Sequence, residues 1–248
     1  MSDPGDDRPA PPAARTLPPG MLSPEEVEAR LAAQGPGSLA ARLRNAAEEW
    51  IYDLNARGHW LFNAYEWLNA QCARLVFRGV RRRAMRYTAT LEGKGERAEM
   101  RFLTPADEVA FAALLSRFDF AHPPPHALDA ATAGRVLQRA SYLPFGIFCA
   151  GELVGYVLVR YLAPRSAFTG VWSIPAVYNK GFSQAAVAAT HPFMRSQWLH
   201  DYVTVPLDNV WSLQGAQWAG WRIIRSNKRF HLLLRRVEFP DDTSARNE

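Results

Sequence analysis

The stretch Ser173-Ile-Pro-Ala-Val-Tyr-Asn-Lys-Gly-Phe-Ser183 lies between an apolar, β-rich run and a helical pattern that extends from Gln184 to Leu199. Small residues at Gly181 and Ser183 would let backbone N–H groups approach a ligand closely, and the following helix adds the positive end of its dipole. Such a loop suits a pyrophosphate group, with Lys180 as an additional cation. Taken alone, the stretch is equally compatible with an ordinary connection between a strand and a helix.

A second informative stretch is Asn209-Val-Trp-Ser212, which begins a predicted helix soon after a predicted strand, Tyr202 to Val205. The helix ends at Gly220-Trp221, before a further strand. Upstream, Phe145 to Cys149 and Leu153 to Tyr161 are apolar runs separated by a Gly-containing turn, which predicts a β-hairpin. The distance from the first stretch to Asn209 suits one intervening helix and strand.

The first stretch resembles a loop pattern of the GCN5-related N-acetyltransferase superfamily (GNAT), V-x-P-x-x-(Q/R)-x-x-G-x-(G/A). Pro175 and Gly181 match it, and Ser183 is a small residue at its last position. Ser173 replaces the Val, and Tyr178 stands where the family usually has Gln or Arg. The second departure weakens the expected side-chain support for the phosphates.

The second stretch is similar to the family's later pattern, N-x-x-(S/A) followed by a helix that ends in G-(F/W). The positions that fit it are Asn209, Ser212, Gly220 and Trp221. Met100–Asp107 looks like the family's first strand and helix start, and Gly151–Tyr156 looks like its β2–β3 hairpin. Each motif is weak alone, but their order and spacing over about residues 97–237 make the resemblance specific.

The resemblance implies an α+β fold: a GNAT-like twisted mixed β-sheet flanked by helices and splayed open between its fourth and fifth strands. Acetyl-CoA or another acyl-CoA would lie in the splay, with its pyrophosphate on the Asn179–Ser183 amides. Main-chain groups near Ser173 and Ile174 would bind the pantetheine arm as an added strand and polarise the thioester carbonyl. The residues expected to bind the cofactor are Ser173, Ile174, Tyr178, Asn179, Lys180, Gly181, Phe182, Ser183, Asn209 and Ser212.

The activity implied by the resemblance is acyl-CoA-dependent N-acyltransfer, in which an amine of a small molecule or a protein attacks the thioester directly. The general base stays unassigned, because the expected fourth strand, Phe168 to Ile174, has no Glu. Ala216 replaces a Tyr that often protonates the leaving thiolate. Nearby titratable residues, each also explained by a surface or connecting role, are His122, His126, His191, His200, Asp201 and Asp208. These departures motivate an alternative function, a non-catalytic GNAT-fold acyl-CoA sensor or interaction scaffold.

The chain is predicted to have four parts. Residues 1–21 form a disordered, Pro-rich lead, since six of the eighteen prolines lie in the first twenty positions. Residues 22–92 form a helical extension, which ends at a polar turn over Leu91–Glu96. Residues 97–239 form the GNAT-like acyltransferase domain, and residues 240–248 are a tail.

The extension contains a long amphipathic pattern from Ser38 to about Arg83. Its apolar stripe is formed by Leu39, Leu43, Trp50, Leu54, Leu61, Tyr65, Leu68, Cys72 and Leu75. Trp60, Phe62 and Trp67 lie off this stripe, so the segment has more aromatic surface than one packing face requires. Packing within the chain, a homodimer or partner bound through the 38–83 helix, and a membrane surface would each account for the excess.

The segment ends in the arginine cluster Arg78–Arg86. Such a cluster is typical of a solvated helix C-terminus, and it also suits an anionic lipid, a nucleic acid or an acidic partner.

The composition excludes several classes of protein. A hydrophobic content of 48% with 21% charged residues is typical of a globular chain and excludes wholesale disorder. No apolar run is long enough to span a membrane, and the acidic, Pro-rich N-terminus does not resemble a secretory signal. Cys72 and Cys149 make neither a disulfide framework nor a metal-binding pair, and no other metal motif occurs. We therefore expect a cytoplasmic protein, with attachment to a membrane surface left open.

Overall fold

An eight-stranded mixed sheet forms the centre of the protein. The structure, a computed structural model, describes residues 26, 29, 39–56, 60–117, 132–163 and 166–235. The chain divides into units 1–36 and 37–248, and every strand and helix named below belongs to the second unit.

The strands, in chain order, are β1 Thr88–Glu92, β2 Arg97–Phe102, β3 Tyr142–Cys149, β4 Glu152–Ala163, β5 Ser166–Ser173, β6 His200–Pro206, β7 Arg222–Ser226 and β8 Phe230–Arg235. They lie in the order β1-β2-β3-β4-β5-β6-β8-β7. Every neighbouring pair is antiparallel except β5 and β6, which are parallel. The predicted α+β fold with a mixed sheet flanked by helices is confirmed.

The helices are α1 Leu39–Ala56, α2 Trp60–Val76, α3 Arg78–Ala84, α4 Glu108–Ser116, α5 Ala133–Gln138, α6 Phe182–Ser196 and α7 Val210–Trp218. Short 3-10 turns at Pro105–Asp107 and Pro175–Lys180 precede α4 and α6. Helix α6 provides the crossover that a parallel strand pair requires.

Helices cover both faces of the sheet. Phe111 of α4 packs edge-to-face on Tyr156 of β4, with ring centroids 5.0 Å apart. Phe193 of α6 packs on Phe145 of β3, at 5.6 Å. Phe145 is paired with Val157, the residue after Tyr156, so strand alternation places Phe145 and Tyr156 on opposite faces. The core therefore has two layers, and burial of these aromatic rings supplies much of its apolar contact area.

Strand β1 lies at the end of the segment predicted to be helical, residues 22–92, so that prediction is wrong for Thr88–Glu92. It pairs with β2 along its whole length, and its Leu91 is buried. The predicted polar turn is shorter than Leu91–Glu96: the Gly93 N–H donates to the Glu96 carbonyl, and residues 93–96 join the two strands. The short alternation at Thr88–Leu91 is a weak signal beside the arginine-rich helix that precedes it.

Helix α2 packs on the sheet with a different face from the one predicted by apolar spacing. Leu68 and Leu75, both on the predicted stripe, are 57% and 85% exposed. The residues that α2 buries are Phe62, Glu66, Asn69, Ala70 and Ala73.

Two polar side chains explain this rotation of α2. Glu66 is completely buried and forms ion pairs with Arg139, at 3.2 Å, and Arg160, at 3.7 Å. Asn69 donates from Nδ2 to the Tyr161 carbonyl oxygen at 2.7 Å. Buried polar groups are tolerated when they are paired, and these pairs attach α2 to one end of the sheet.

Arg81 attaches α3 to the same end of the sheet. Its guanidinium donates to three backbone carbonyl oxygens, those of Leu137 at 2.7 Å, Arg139 at 3.0 Å and Tyr142 at 2.6 Å. Burial lowers the pKa of Arg81. The arginine cluster is therefore only partly the solvated helix end that its position favours.

Glu66→Ala should destabilise the protein by about 3 kcal/mol, because Arg139 and Arg160 would lose the carboxylate that compensates their charge. Urea denaturation would measure the change. Glu99→Ala, at an exposed position of β2, is the control and should change stability by less than about 0.5 kcal/mol. Equal stabilities of the two variants would contradict this docking of α2.

Candidate functional site

The parallel strands β5 and β6 pair only over a short distance. Residues 166–168 of β5 are in register with residues 200–202 of β6. Beyond this point β5 continues to Ser173 beside β4, and β6 continues to Pro206 beside β8. The two halves of the sheet therefore separate where the splay was expected, since β5 and β6 are the predicted fourth and fifth strands once β1 is added.

The backbone of β5 faces this opening at alternate residues. The Ile174 N–H donates to the Val154 carbonyl of β4 at 3.0 Å, and its own carbonyl accepts from the Val177 N–H at 3.1 Å. In an antiparallel pair the direction of the backbone groups alternates, so those of Val171 and Ser173 point away from β4, toward β6. Of the two residues expected to bind the pantetheine arm, Ser173 has backbone groups that face the opening. The N–H and the carbonyl of Ile174 are both hydrogen-bonded within the protein.

Helix α6 begins beside the end of β5 with an open backbone. Gly181 precedes it with φ +83°, a left-handed conformation that favours glycine. A Cβ atom added to Gly181 would have no heavy atom within 4 Å. The first N–H groups of a helix lack intrahelical partners, so this terminus offers donors and a positive dipole end to an anion.

The neighbouring side chains hold this terminus in place. The hydroxyls of Ser173 and Ser183 lie 2.9 Å apart and form a hydrogen bond between the end of β5 and the first turn of α6. Phe182 is completely buried. Of the predicted cofactor-binding residues, Phe182 can therefore contribute only its backbone.

Lys180 forms an ion pair with a residue far away in the sequence. Its Nζ lies 2.8 Å from both carboxylate oxygens of Glu96, in the β1–β2 turn. The hydrogen bond to Glu96 raises the pKa of Lys180, and the same bond lowers the pKa of Glu96. The expected extra cation for the phosphates is thus compensated within the protein.

The β1–β2 turn also contacts the loop backbone directly. The Lys94 N–H donates to the Lys180 carbonyl oxygen at 3.0 Å. A Cβ atom on Gly93 would lie 2.7 Å from that same oxygen, so glycine is required for this close approach. The turn and the loop therefore support each other.

Two residues of the predicted loop that were expected to bind the cofactor are described only in their backbone. Tyr178 and Asn179 lie in the 3-10 turn Pro175–Lys180, and their side chains are outside the described part of the structure. His122 and His126, considered as bases, also lie outside the described residues.

Asn209 and Ser212 come together at the start of α7. Asn209 is the N-cap, and its Oδ1 accepts from the Ser212 backbone N–H at 3.1 Å. Satisfying a first-turn donor in this way stabilises a helix by about 1 kcal/mol. At the other end Trp221 is buried, and its Nε1 donates to the Asp201 carbonyl at 3.1 Å. These contacts give the second motif a structural role.

Asp201 occupies the point at which β5 and β6 part. It is completely buried, accepts from the Thr169 hydroxyl at 2.5 Å, and forms an ion pair with Arg235 at 2.7 Å. Burial raises the pKa of Asp201 to about 6, although Arg235 and Thr169 favour the carboxylate. Because both oxygens are bound by protein groups, Asp201 holds the sheet together and is poorly placed to accept a proton from a ligand.

The other titratable candidates in the described ranges are His191, His200 and Asp208. His191 is partly buried in α6; burial, and then Arg235 and Arg195, lower its pKa. His200 begins β6, and Asp208 is exposed before α7. Ala216, at the position of the family's Tyr, is buried. Within the described ranges, no three His, Cys, Asp or Glu side chains are grouped so that they could hold a metal ion.

Known structures provide an independent comparison. The chain matches no protein-family model and no curated protein sequence. It is similar to the crystal structure of the GNAT domain of PAT from S. lividans, with a TM-score of 0.54, 16% sequence identity, and 60% of this chain and 96% of that chain covered. It is also similar to the ribosomal-protein-S5-alanine acetyltransferase from Vibrio fischeri, with a TM-score of 0.50, 14% identity, and 60% and 97% coverage.

These similarities agree with the mixed sheet flanked by helices. At this level of sequence identity they establish the fold. The chain therefore has the fold of the GCN5-related N-acetyltransferase superfamily.

Proposed function

We propose that this protein is an acyl-CoA-dependent N-acyltransferase, with acetyl-CoA as the expected donor and an amine as the acceptor. The observation that supports the proposal is the separation of β5 and β6 directly beside the open start of α6 at Gly181. An extended ligand with a pyrophosphate at one end would place its arm between the separated strands and its phosphates at the helix N-terminus.

The pyrophosphate would bind at the N-terminus of α6. The open face at Gly181 lets a phosphate oxygen reach the amides of residues 181–183 without meeting a side chain. Lys180 adds little net charge there, because Glu96 compensates it. Recognition of the phosphates therefore depends mainly on backbone donors and the helix dipole.

The pantetheine arm would lie along β5 in the opening. The backbone groups of Val171 and Ser173 face β6, and they are placed to bond the amides of the arm as an added strand would. An N–H at this position also polarises the thioester carbonyl, because it stabilises the negative charge that develops on the oxygen.

In the reaction the amine nitrogen attacks the thioester carbonyl carbon, a C–N bond forms and the C–S bond breaks. The amine loses a proton, and the leaving thiolate takes one up to become the free thiol of CoA. β5 carries no acidic side chain, so we assign the proton transfer to solvent within the opening rather than to a residue of this strand. The acceptor is a small-molecule or protein amine, and a protein acceptor is the class named for the enzyme from Vibrio fischeri.

Gly181→Glu should weaken acetyl-CoA binding at least about a hundredfold, because a carboxylate a few ångströms from the pyrophosphate costs on the order of 3 kcal/mol. Isothermal titration calorimetry would measure the affinity. Gly151→Glu is the matched control: Gly151, in the β3–β4 turn, has the same φ of +83° and the same open surroundings. Retained affinity in Gly181→Glu would refute the proposed phosphate site.

The Lys180–Glu96 pair provides a second test of the same site. Glu96→Gln would leave Lys180 uncompensated, and it should strengthen acetyl-CoA binding about two- to fivefold at low salt. Lys180→Gln should weaken binding, because it leaves Glu96 as an unpaired negative charge. Both effects should shrink at high salt, and identical affinities in the two variants would place the phosphates elsewhere.

A non-catalytic acyl-CoA sensor or interaction scaffold is the second candidate. It is favoured by the absence of an acid on β5 and by the buried Ala216 at the position of the proton-donating Tyr. A thiol-release assay with acetyl-CoA and a panel of amines and N-terminal peptides distinguishes the two functions. Sustained, acceptor-dependent release supports the enzyme, whereas tight binding without release across the panel supports the sensor.

A further inference from the structure

Helix α2 is apolar on the side that faces away from the sheet. Opposite its buried residues lie Trp67, Leu68 and Leu75, which are 60%, 57% and 85% exposed. The charged residues of α2 are Glu66, which is buried, and Arg74 in its last turn. A helix that is apolar on both sides normally has both sides covered, so this outer face requires an occupant.

A block of positive charge continues from the apolar face. The 25 residues from Trp67 to Leu91 contain six arginines and no Asp or Glu. The rest of the chain contains 23 basic and 24 acidic residues, so this segment accounts for the whole net charge of +5. The excess positive charge is concentrated in this segment, which also contains the exposed Leu68 and Leu75.

Only some of these arginines bind other groups of the protein. Arg81 binds backbone carbonyls, and Arg83 donates to the Gln197 side chain at 2.5 Å. Arg78, Arg82 and Arg86 are exposed and form no ion pair with any acidic residue in the described part of the chain. Their charge is available to a ligand.

A groove lies beside the arginines of this segment. Its volume is about 570 Å³, and it is lined by Ala73, Arg74, Phe77, Arg78, Arg81, Arg82, Met85, Gln138 and Ala140. The guanidinium groups suit a phosphate, and the apolar lining suits the hydrocarbon next to it.

We infer that the surface formed by Trp67, Leu68, Leu75, Arg78, Arg82 and Arg86 binds a membrane that contains anionic phospholipids. Arginines beside exposed Trp and Leu side chains are typical of protein surfaces that lie in the headgroup region of a bilayer. The proposed contact is with the surface of the bilayer. None of the helices in the described ranges is long and apolar enough to cross a membrane.

Two other occupants fit the surface less well. In a two-fold dimer the same patch would face itself, which brings the uncompensated arginines of two copies together. A nucleic acid would satisfy the arginines but would leave the aliphatic Leu68 and Leu75 without a suitable partner, since bases stack on aromatic side chains. Of these three occupants, the anionic bilayer surface suits both the charge and the aliphatic groups.

The test is vesicle flotation of the full chain with phosphatidylcholine vesicles, with and without phosphatidylglycerol. We expect binding only when phosphatidylglycerol is present. The triple variant Arg78→Gln, Arg82→Gln and Arg86→Gln should bind about a hundredfold more weakly, since each arginine near the surface contributes about fivefold. Trp67→Ser with Leu75→Ser should weaken binding at least about tenfold, because the apolar contact is lost.

The matched controls change the same kinds of residue elsewhere. Arg135→Gln, Arg195→Gln and Lys228→Gln remove the same net charge from exposed positions, and Val109→Ser removes an exposed apolar side chain from α4. These variants should float like the unmodified protein, and all variants should bind acetyl-CoA equally. The inference would be overturned if the unmodified protein failed to float, or if the control variants lost as much vesicle binding as the test variants. Tight binding to RNA, or a stable dimer, without flotation would also overturn it.

Discussion

A single buried carboxylate joins the two halves of the sheet at the place where they separate. Asp201 on β6 accepts a hydrogen bond from Thr169, the first residue of β5 beyond the paired stretch, and forms its ion pair with Arg235 of β8. Arg235 in turn lies over the Trp221 ring, 4.0 Å from its centroid. A parallel pair with only three residues in register has few backbone hydrogen bonds of its own, so these side-chain contacts hold the two halves of the sheet together where they begin to diverge.

The proposed ligand site depends on this separation more than on any functional side chain. The groups turned toward the opening are backbone groups of β5 and the first turn of α6, and the nearest cation is compensated by Glu96. Backbone donors have fixed positions, so the site's geometry follows from where β5 and α6 end. This explains how a chain without the family's Val and Gln or Arg, but with its glycine, retains the arrangement.

Local sequence predicted those parts of the fold and site that depend on local chemistry. The order of strands and helices after β1, the glycine at the start of α6 and the start of α7 at Asn209 were predictable, because each follows from residues close together in the chain. The partner of Lys180 was not, since Glu96 is 84 residues away. The face that α2 buries was also missed, because Glu66 appears polar and exposed until Arg139 and Arg160 are placed beside it. Roles of Tyr178 and Asn179 stay predictions.

The close contact between the β1–β2 turn and the loop before α6 restricts how the chain can vary. Surface turns usually accept insertions and length changes, because nothing packs against them. Here the N–H of Lys94 is bonded to the Lys180 carbonyl, and Gly93 leaves no room for even a methyl group beside that oxygen. A longer or bulkier turn would push against the backbone that precedes α6. Residues 93–96 are therefore a poor place for a tag, a fusion or a new chain terminus, although they lie at the edge of the sheet.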